Sequence, residues 1–285
     1  MNFEITKILL NKDLSESSIK KYIGRLMKII NSLNINKLDE FDDYNFIKKY
    51  LDANITNLNT YISYLNAIIN ITSNYNYVEL RKKKYRQNEL IKGDNLIDDE
   101  KFIKYEDLKN IVNFDINDNL TKYQDNMLLY FAIYHPLRLD YSNIKINYYR
   151  DKIDTSNYLI YRSKYIELHL NDYKTKKIYG EFINKFDTKT LKIVKKYIEL
   201  YKKEHGIKPV KLFDFVSTEM YSRKLQKLLL NQTGKKLTNN DIRSSYETSF
   251  IKSDVYRTLS NNDKEKHSNK ILHSHSTALN SYYKI

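Results

Sequence analysis

Four short β-rich runs, IKINY at 144–148, NYLIY at 157–161, YIELHL at 165–170 and KIYGEFI at 177–183, sit close together in a 285-residue chain whose other apolar residues recur at helical spacing. Runs of that length and separation build one small sheet, and the helices on either side must supply the rest of the core. The expected fold class is therefore mainly α with a small antiparallel β-sheet.

Before those runs, residues 1–92 read as helical throughout. Ser15 or Ser17 can cap a helix whose apolar positions are Ile19, Tyr22, Leu26, Ile29, Ile30 and Leu33. The stretches 43–53 and 56–71 carry the same period, and ELRKKKYR at 79–86 adds a basic helix or helix end. That basic stretch suits a solvated face and a phosphate-contacting surface equally well. GDNLIDDE at 93–100 is polar, acidic and weakly patterned, and marks a linker. Beyond it, helices are expected at 105–112 and 123–135, then after the β-rich runs at 188–205, 217–232, 238–252 and 263–272. The second of these is apolar nearly all round, which implies burial. The domains expected are thus a helical one at 1–92, a linker at 93–100, and a mixed one at 101–285.

Composition narrows the chemistry. The chain has no cysteine, which excludes disulfides, thiolate nucleophiles and zinc sites of the cysteine type. Its longest apolar run, MLLYFAIY at 127–134, is far short of the roughly 18 residues that cross a bilayer. No signal peptide is expected from MNFEITKILLNKDL, and the protein is expected to be soluble and intracellular, without a membrane partner. A net charge of +14 favours a polyanionic partner such as nucleic acid. The abundance of Lys, Asn, Ile and Tyr reflects a compositional bias that raises lysine regardless of function, so the few arginines are the more informative cations. Where a planar bidentate fork is needed, lysine does not substitute.

Two of those arginines stand in suggestive places. LLYFAIYHPLRLDYSNIKI at 128–146 runs a buried helix into Arg138 and then a strand, which suits a fixed guanidinium that grips a phosphate. An ion pair with Asp140 would be the purely structural use of the same residue. In LTNNDIRSSYETSFI at 237–251, Thr238 can cap a helix that carries Arg243 beside the apolar stripe Ile242, Tyr246 and Phe250. A buried arginine needs a partner, and a ligand's phosphate can be that partner.

The order of these parts resembles the tyrosine recombinase (phage integrase) superfamily: an arginine after a buried helix, a hairpin with KTK, a helix-borne arginine, then a histidine and a tyrosine nine apart near residue 285. SESSIKKYIGRLMKII resembles the opening helix of that family's core-binding domain, and residues from about 100 onward resemble its catalytic domain. With 27 tyrosines in the chain a tyrosine at a given slot means little, whereas 9 arginines and 6 histidines make the two arginines and His273 in order the informative part.

The resemblance implies roles. Arg138 and Arg243 would clamp the scissile phosphate, and Lys174, with Lys176 as the near alternative, would protonate the leaving 5′ oxygen. His273, in ILHSHS, would hydrogen-bond the phosphate, and Tyr282, with Tyr283 beside it, would be the nucleophile. The product would be a 3′-phosphotyrosyl link to double-stranded DNA, formed without metal or other cofactor, in a homotetramer on DNA that can be a monomer when free. Such an enzyme would serve DNA integration or recombination for a mobile genetic element or virus, in the cytoplasm or nucleus of its host.

Three departures accompany the match. Asn240 stands where the family usually has a histidine three residues before the second arginine, and it donates hydrogen bonds but cannot shuttle a proton. Leu272 replaces the usual glycine before His273, and Asp140 falls two positions after the first arginine rather than three. The competing readings are a type IB topoisomerase, which shares the tyrosine, arginines and lysine, and a DNA-binding protein without catalysis. His273 and His275 form an HxH pair, but the nearby sequence offers no cysteine or carboxylate set to complete a zinc site.

Overall fold

Ser15, Asp43 and Asn57 each accept a backbone N–H from the first turn of the helix they precede, and these caps set the starts of three of the five N-terminal helices. The computed structural model describes residues 1–92, 100–114, 119–138, 140–149, 156–213, 215 and 217–284, with backbone alone at 89–92 and 140. Contacts divide the chain into two units, Met1–Asp94 and Asn95–Ile285. Apart from Glu100, the expected linker at 93–100 lies outside the described residues, as does the side chain of Asp140.

The first unit consists of α1 (Asn2–Leu10), α2 (Glu16–Leu33), α3 (Tyr44–Asn54), α4 (Leu58–Ile69) and α5 (Tyr75–Lys92). Its core is built from one face of each, including Ile5, Leu9, Leu26, Ile29, Ile47, Leu51, Leu65 and Ile68, together with Phe41 from a short 3-10 turn. Buried Tyr77 meets its polar requirement by donating to the Phe41 carbonyl at 2.7 Å. Helix α1 is not among the expected elements; only Ile5 and Leu9 are buried on it, too few to register as a period. The basic stretch is the middle of α5. There Lys84 lies 4.5 Å from the Tyr61 ring and Arg81 donates to Asn66, while Lys82, Lys83 and Arg86 are exposed.

The second unit begins with α6 (Tyr105–Asn110) and α7 (Leu120–Tyr134). Every residue from Met127 to Ile133 is buried, so the second half of α7 is enclosed on all sides, as its continuous apolar run implies. Four strands follow, β1 (Lys145–Asn147), β2 (Tyr158–Tyr161), β3 (Ile166–Leu170) and β4 (Phe182–Lys185), in the order β1-β2-β3-β4. The sheet is mixed rather than wholly antiparallel, because β1 runs parallel to β2 with Ile146 opposite Leu159. Side-chain alternation is the same whichever way a strand points, so the apolar pattern carries no information on direction. The other edge of β1 is held by residues 210–212, through Ile146 N–H to the Val210 carbonyl and Leu212 N–H to the Ile144 carbonyl. The expected fourth strand starts late: Lys176–Tyr179 is a single helical turn, α8, closed by Gly180 at φ 70°.

Helices α9 (Thr188–His205), α10 (Thr218–Thr233), α11 (Asn239–Lys252), α12 (Asp254–Thr258), α13 (Asn261–Asn269) and α14 (His275–Thr277) complete the unit. Glycines in the left-handed conformation, Gly206 and Gly234, end α9 and α10. A capping box between Thr238 and Asp241 fixes the start of α11, and with it the phase of the helix that carries Arg243. After α14 the backbone widens into a π-turn at Ala278–Tyr282, closed by the Tyr283 N–H donating to the Ala278 carbonyl at 2.8 Å. Turns of that kind recur at functional sites because they rotate one side chain out of helical phase.

Candidate active site

Pro136 lies two residues past the end of α7, after the capping His135, and forbids another helical turn, and two residues later the chain carries Arg138. Arg138 is half-buried and donates one N–H to the Leu272 carbonyl at 3.3 Å. It lines a cleft of about 780 Å³ whose wall also includes Lys174, Asn239, Asn240 and Tyr282. Among the described lining residues Asp172 is the only carboxylate, and amides and hydroxyls make up most of the polar wall around Arg138 and Lys174.

Arg243 is fully buried. It donates from Nη1 to the Pro136 carbonyl at 2.6 Å, from Nη2 to the Ile271 carbonyl at 2.9 Å and from Nε to the Tyr282 hydroxyl oxygen at 3.2 Å. One guanidinium therefore ties together the end of α7, the turn before His273 and the terminal π-turn. Its charge also lies 5.0 Å from the centroid of the Tyr282 ring. Such an arrangement directs positive charge at the phenol oxygen, and the hydrogen bond strengthens as that oxygen becomes anionic. In this geometry Arg243 faces the tyrosine rather than open cleft, whereas the resemblance implies a direct grip on a phosphate.

The turn that receives both arginines is strained. Leu272 has φ 61°, the left-handed region that glycine occupies freely and that costs a residue with a Cβ about 1 kcal/mol or more. Its side chain is buried, and its carbonyl and that of Ile271 meet the two guanidinium groups. A leucine at this position thus takes the backbone shape that glycine prefers and adds core packing. Both Leu272→Ala and Leu272→Gly are expected to lose about 2–5 kcal/mol of stability from the emptied core. The glycine variant should nonetheless be the more stable of the two in urea unfolding, the reverse of the order at an ordinary position. A lower urea midpoint for Leu272→Gly than for Leu272→Ala would show that the turn stores no strain.

His273 is buried and its ring stacks on that of Tyr282, with centroids 4.9 Å apart. Its Nδ1 is 3.0 Å from the Ser274 carbonyl and its Nε2 is 3.3 Å from Glu247 Oε1. Both nitrogens face inward and His273 is not among the cleft-lining residues, so here it supports the tyrosine instead of offering an N–H to a phosphate. Behind it, burial pushes the His267 imidazole down to about 4, and burial raises the Tyr246 phenol. Tyr282 is held at its own carbonyl as well: the Thr248 hydroxyl donates to it at 3.4 Å and accepts the Lys284 N–H at 2.9 Å.

The neighbours that the sequence left as alternatives separate in space. Lys174 is exposed on the cleft wall, in the turn between β3 and α8, while Lys176 lies in α8 and is not among the lining residues. Tyr282 lines the cleft and Tyr283 does not. Asn240 is exposed at the cleft mouth.

Asn239 and Glu247 were not anticipated. Asn239 is buried beside the cleft, donates from Nδ2 to the Leu137 carbonyl at 2.8 Å, and has a buried Oδ1 with no partner among the described residues. Glu247 is fully buried against His273. Each is four residues from Arg243 on α11, so helical phase places all three on one face.

No known family profile and no curated protein matches the sequence. Among solved structures, the chain is similar to one titled "Crystal structure of XerA recombinase", at 13 % identity and a TM-score of 0.43, across 100 % of this chain and 92 % of that one. So low a TM-score says nothing about function.

Proposed function

We propose that this chain is a site-specific DNA recombinase or integrase of the tyrosine type, which cuts and rejoins double-stranded DNA through a 3′-phosphotyrosyl intermediate at Tyr282. The observation that carries the reading is the Arg243 Nε–H donated to the Tyr282 hydroxyl at 3.2 Å, on a cleft whose wall also bears Arg138 and Lys174. Residues 138, 174, 243 and 282 come from four separate parts of the chain.

In the proposed reaction a phosphodiester enters the cleft and Arg138 neutralises a non-bridging oxygen. The Tyr282 oxygen passes its proton to water in the cleft as it attacks phosphorus, with Arg243 stabilising the charge that develops on that oxygen. The bond from phosphorus to the 5′ oxygen breaks, and Lys174 supplies a proton to the leaving alkoxide. Reversal by another strand's 5′ hydroxyl rejoins the DNA, and the phosphotyrosyl bond conserves the energy for it. Paired sites would be served by a homotetramer. The net charge of +14 suits duplex DNA as partner.

The reading is tested with a duplex nicked beside the cleavage site, so that the short leaving strand diffuses away and a covalent complex accumulates. DNA flanking the gene that encodes the chain is the first substrate to try. An adduct that survives denaturant supports cleavage by this mechanism, and its absence on every duplex tried would leave a DNA-binding protein without catalysis.

Lys174→Ala should slow cleavage by about 10²–10⁴, the usual contribution of a positioned proton donor. A 5′-bridging phosphorothiolate, whose sulfur leaves without a proton, should restore the rate. Lys176→Ala should cleave at the native rate on both substrates. Rescue of Lys176→Ala instead would move the role to that lysine.

A further inference from the structure

Glu247 is fully buried, and neither carboxylate oxygen has a hydrogen-bond partner among the described residues. A bare carboxylate in such a place is strongly disfavoured, so a partner must hold its charge. Within ion-pair distance, among the described residues, is Nε2 of His273 at 3.3 Å, itself without a hydrogen-bond partner among those residues. The other ring nitrogen is committed. A carbonyl only accepts, so Nδ1, 3.0 Å from the Ser274 oxygen, must be the donor. Without a proton between them, Nε2 would turn a lone pair toward the lone pairs of Oε1 in a site closed to water.

The other titratable groups around Glu247 do not meet its need. His267 on α13 faces it, but burial holds that imidazole near 4, so it is uncharged at neutral pH. Tyr246 on α11 and Tyr256 on α12 also feel Glu247, and both phenols are raised, first by burial and then by that carboxylate. Arg243, one turn back on the same helix, donates to two carbonyls and to Tyr282.

We propose that Glu247 is a positioning residue for the proposed strand-cleavage site, holding a single proton between its Oε1 and Nε2 of His273. It acts through two contacts. The pair fixes the imidazole against which the Tyr282 ring stacks at 4.9 Å. It also neutralises the carboxylate locally, so the positive charge of Arg243 remains directed at the phenol oxygen instead of being cancelled from behind. The inference rests on Tyr282 as the reacting group, but the proton pairing itself does not require the protein to cut DNA.

The test uses the full chain with nitrogen-15 histidine, free of DNA at neutral pH, with His273 assigned by loss of its signals in His273→Gln. The Nε2 signal of the native protein is expected in the proton-bearing range and to move to the lone-pair range in Glu247→Gln, whose amide donates where the carboxylate accepted. On nicked DNA, Glu247→Gln should then cleave on the order of 10–100-fold more slowly, the usual cost of losing the partner that orients a ring, with unchanged DNA affinity.

An Nε2 signal identical in native and variant overturns the pairing, and an altered signal with native cleavage overturns the positioning role. If the native protein forms no adduct, the proposed function fails while the spectrum still decides the pairing. Should Glu247→Gln not fold, a lone-pair Nε2 signal in the native protein is enough to overturn the assignment.

Discussion

Tyr282→Phe is expected to form no covalent adduct on nicked duplex DNA, whereas Tyr283→Phe forms it at the native rate. Phenylalanine keeps the ring that stacks on His273 and lies near the Arg243 charge, so the terminal turn should retain its shape. What it removes is one oxygen, the acceptor of the Arg243 Nε–H at 3.2 Å. Leaving that buried N–H without its acceptor costs about 1–3 kcal/mol, which urea unfolding of the variant would read. The effect on chemistry is total, because no other atom on that ring can attack phosphorus. DNA binding by Tyr282→Phe should match the native protein. An adduct that persists in Tyr282→Phe and disappears in Tyr283→Phe would move the nucleophile by one residue, which would require the π-turn to rewind.

The second large effect divides the two arginines. Arg138→Ala should slow cleavage by about 10²–10³, the usual cost of losing one donor to developing charge, with stability within about 1 kcal/mol of native. Its side chain is half-buried at the cleft and, among the described residues, makes one long bond, to the Leu272 carbonyl. Arg243→Ala should slow cleavage at least as much and also destabilise the fold. The Pro136 and Ile271 carbonyls would lose their donors in a buried site, at about 1–3 kcal/mol each, and Tyr282 would lose its anchor. Urea unfolding and single-turnover cleavage on nicked DNA separate the two outcomes. Equal loss of DNA affinity and cleavage rate in Arg138→Ala would contradict a role in stabilising the transition state.

Much of the helical frame was legible because helices announce their ends. Asp187 and Gly206 bracket α9 as capping residue and left-handed stop, and the apolar period between them does the rest. The sheet was legible in number and place but not in direction, since parallel pairing of β1 with β2 leaves no trace in alternation. The sequence order singled out Arg138, Arg243, His273 and Tyr282; in the fold Arg243 bonds Tyr282 and the His273 ring stacks on it, while Arg138 lines the same cleft as Tyr282 and bonds the Leu272 carbonyl.

What the order could not supply was which way each side chain faces. Arg243 turns toward the tyrosine because buried carbonyls occupy its other two nitrogens, and His273 turns inward because Glu247 stands behind it. Leu272 was visible as a departure from glycine, but only the backbone shows that leucine takes the glycine conformation there. The choice between Tyr282 and Tyr283 depends on a π-turn, whose extra residue per turn no spacing rule anticipates.

The most direct test of the account is to trap the native protein on nicked DNA, digest the adduct, and identify by mass spectrometry the residue that keeps the 3′-phosphate. The expected result is a single modified peptide with the nucleotide on Tyr282. A nucleotide on any other residue, or no adduct on any duplex including the DNA flanking the gene, would contradict it.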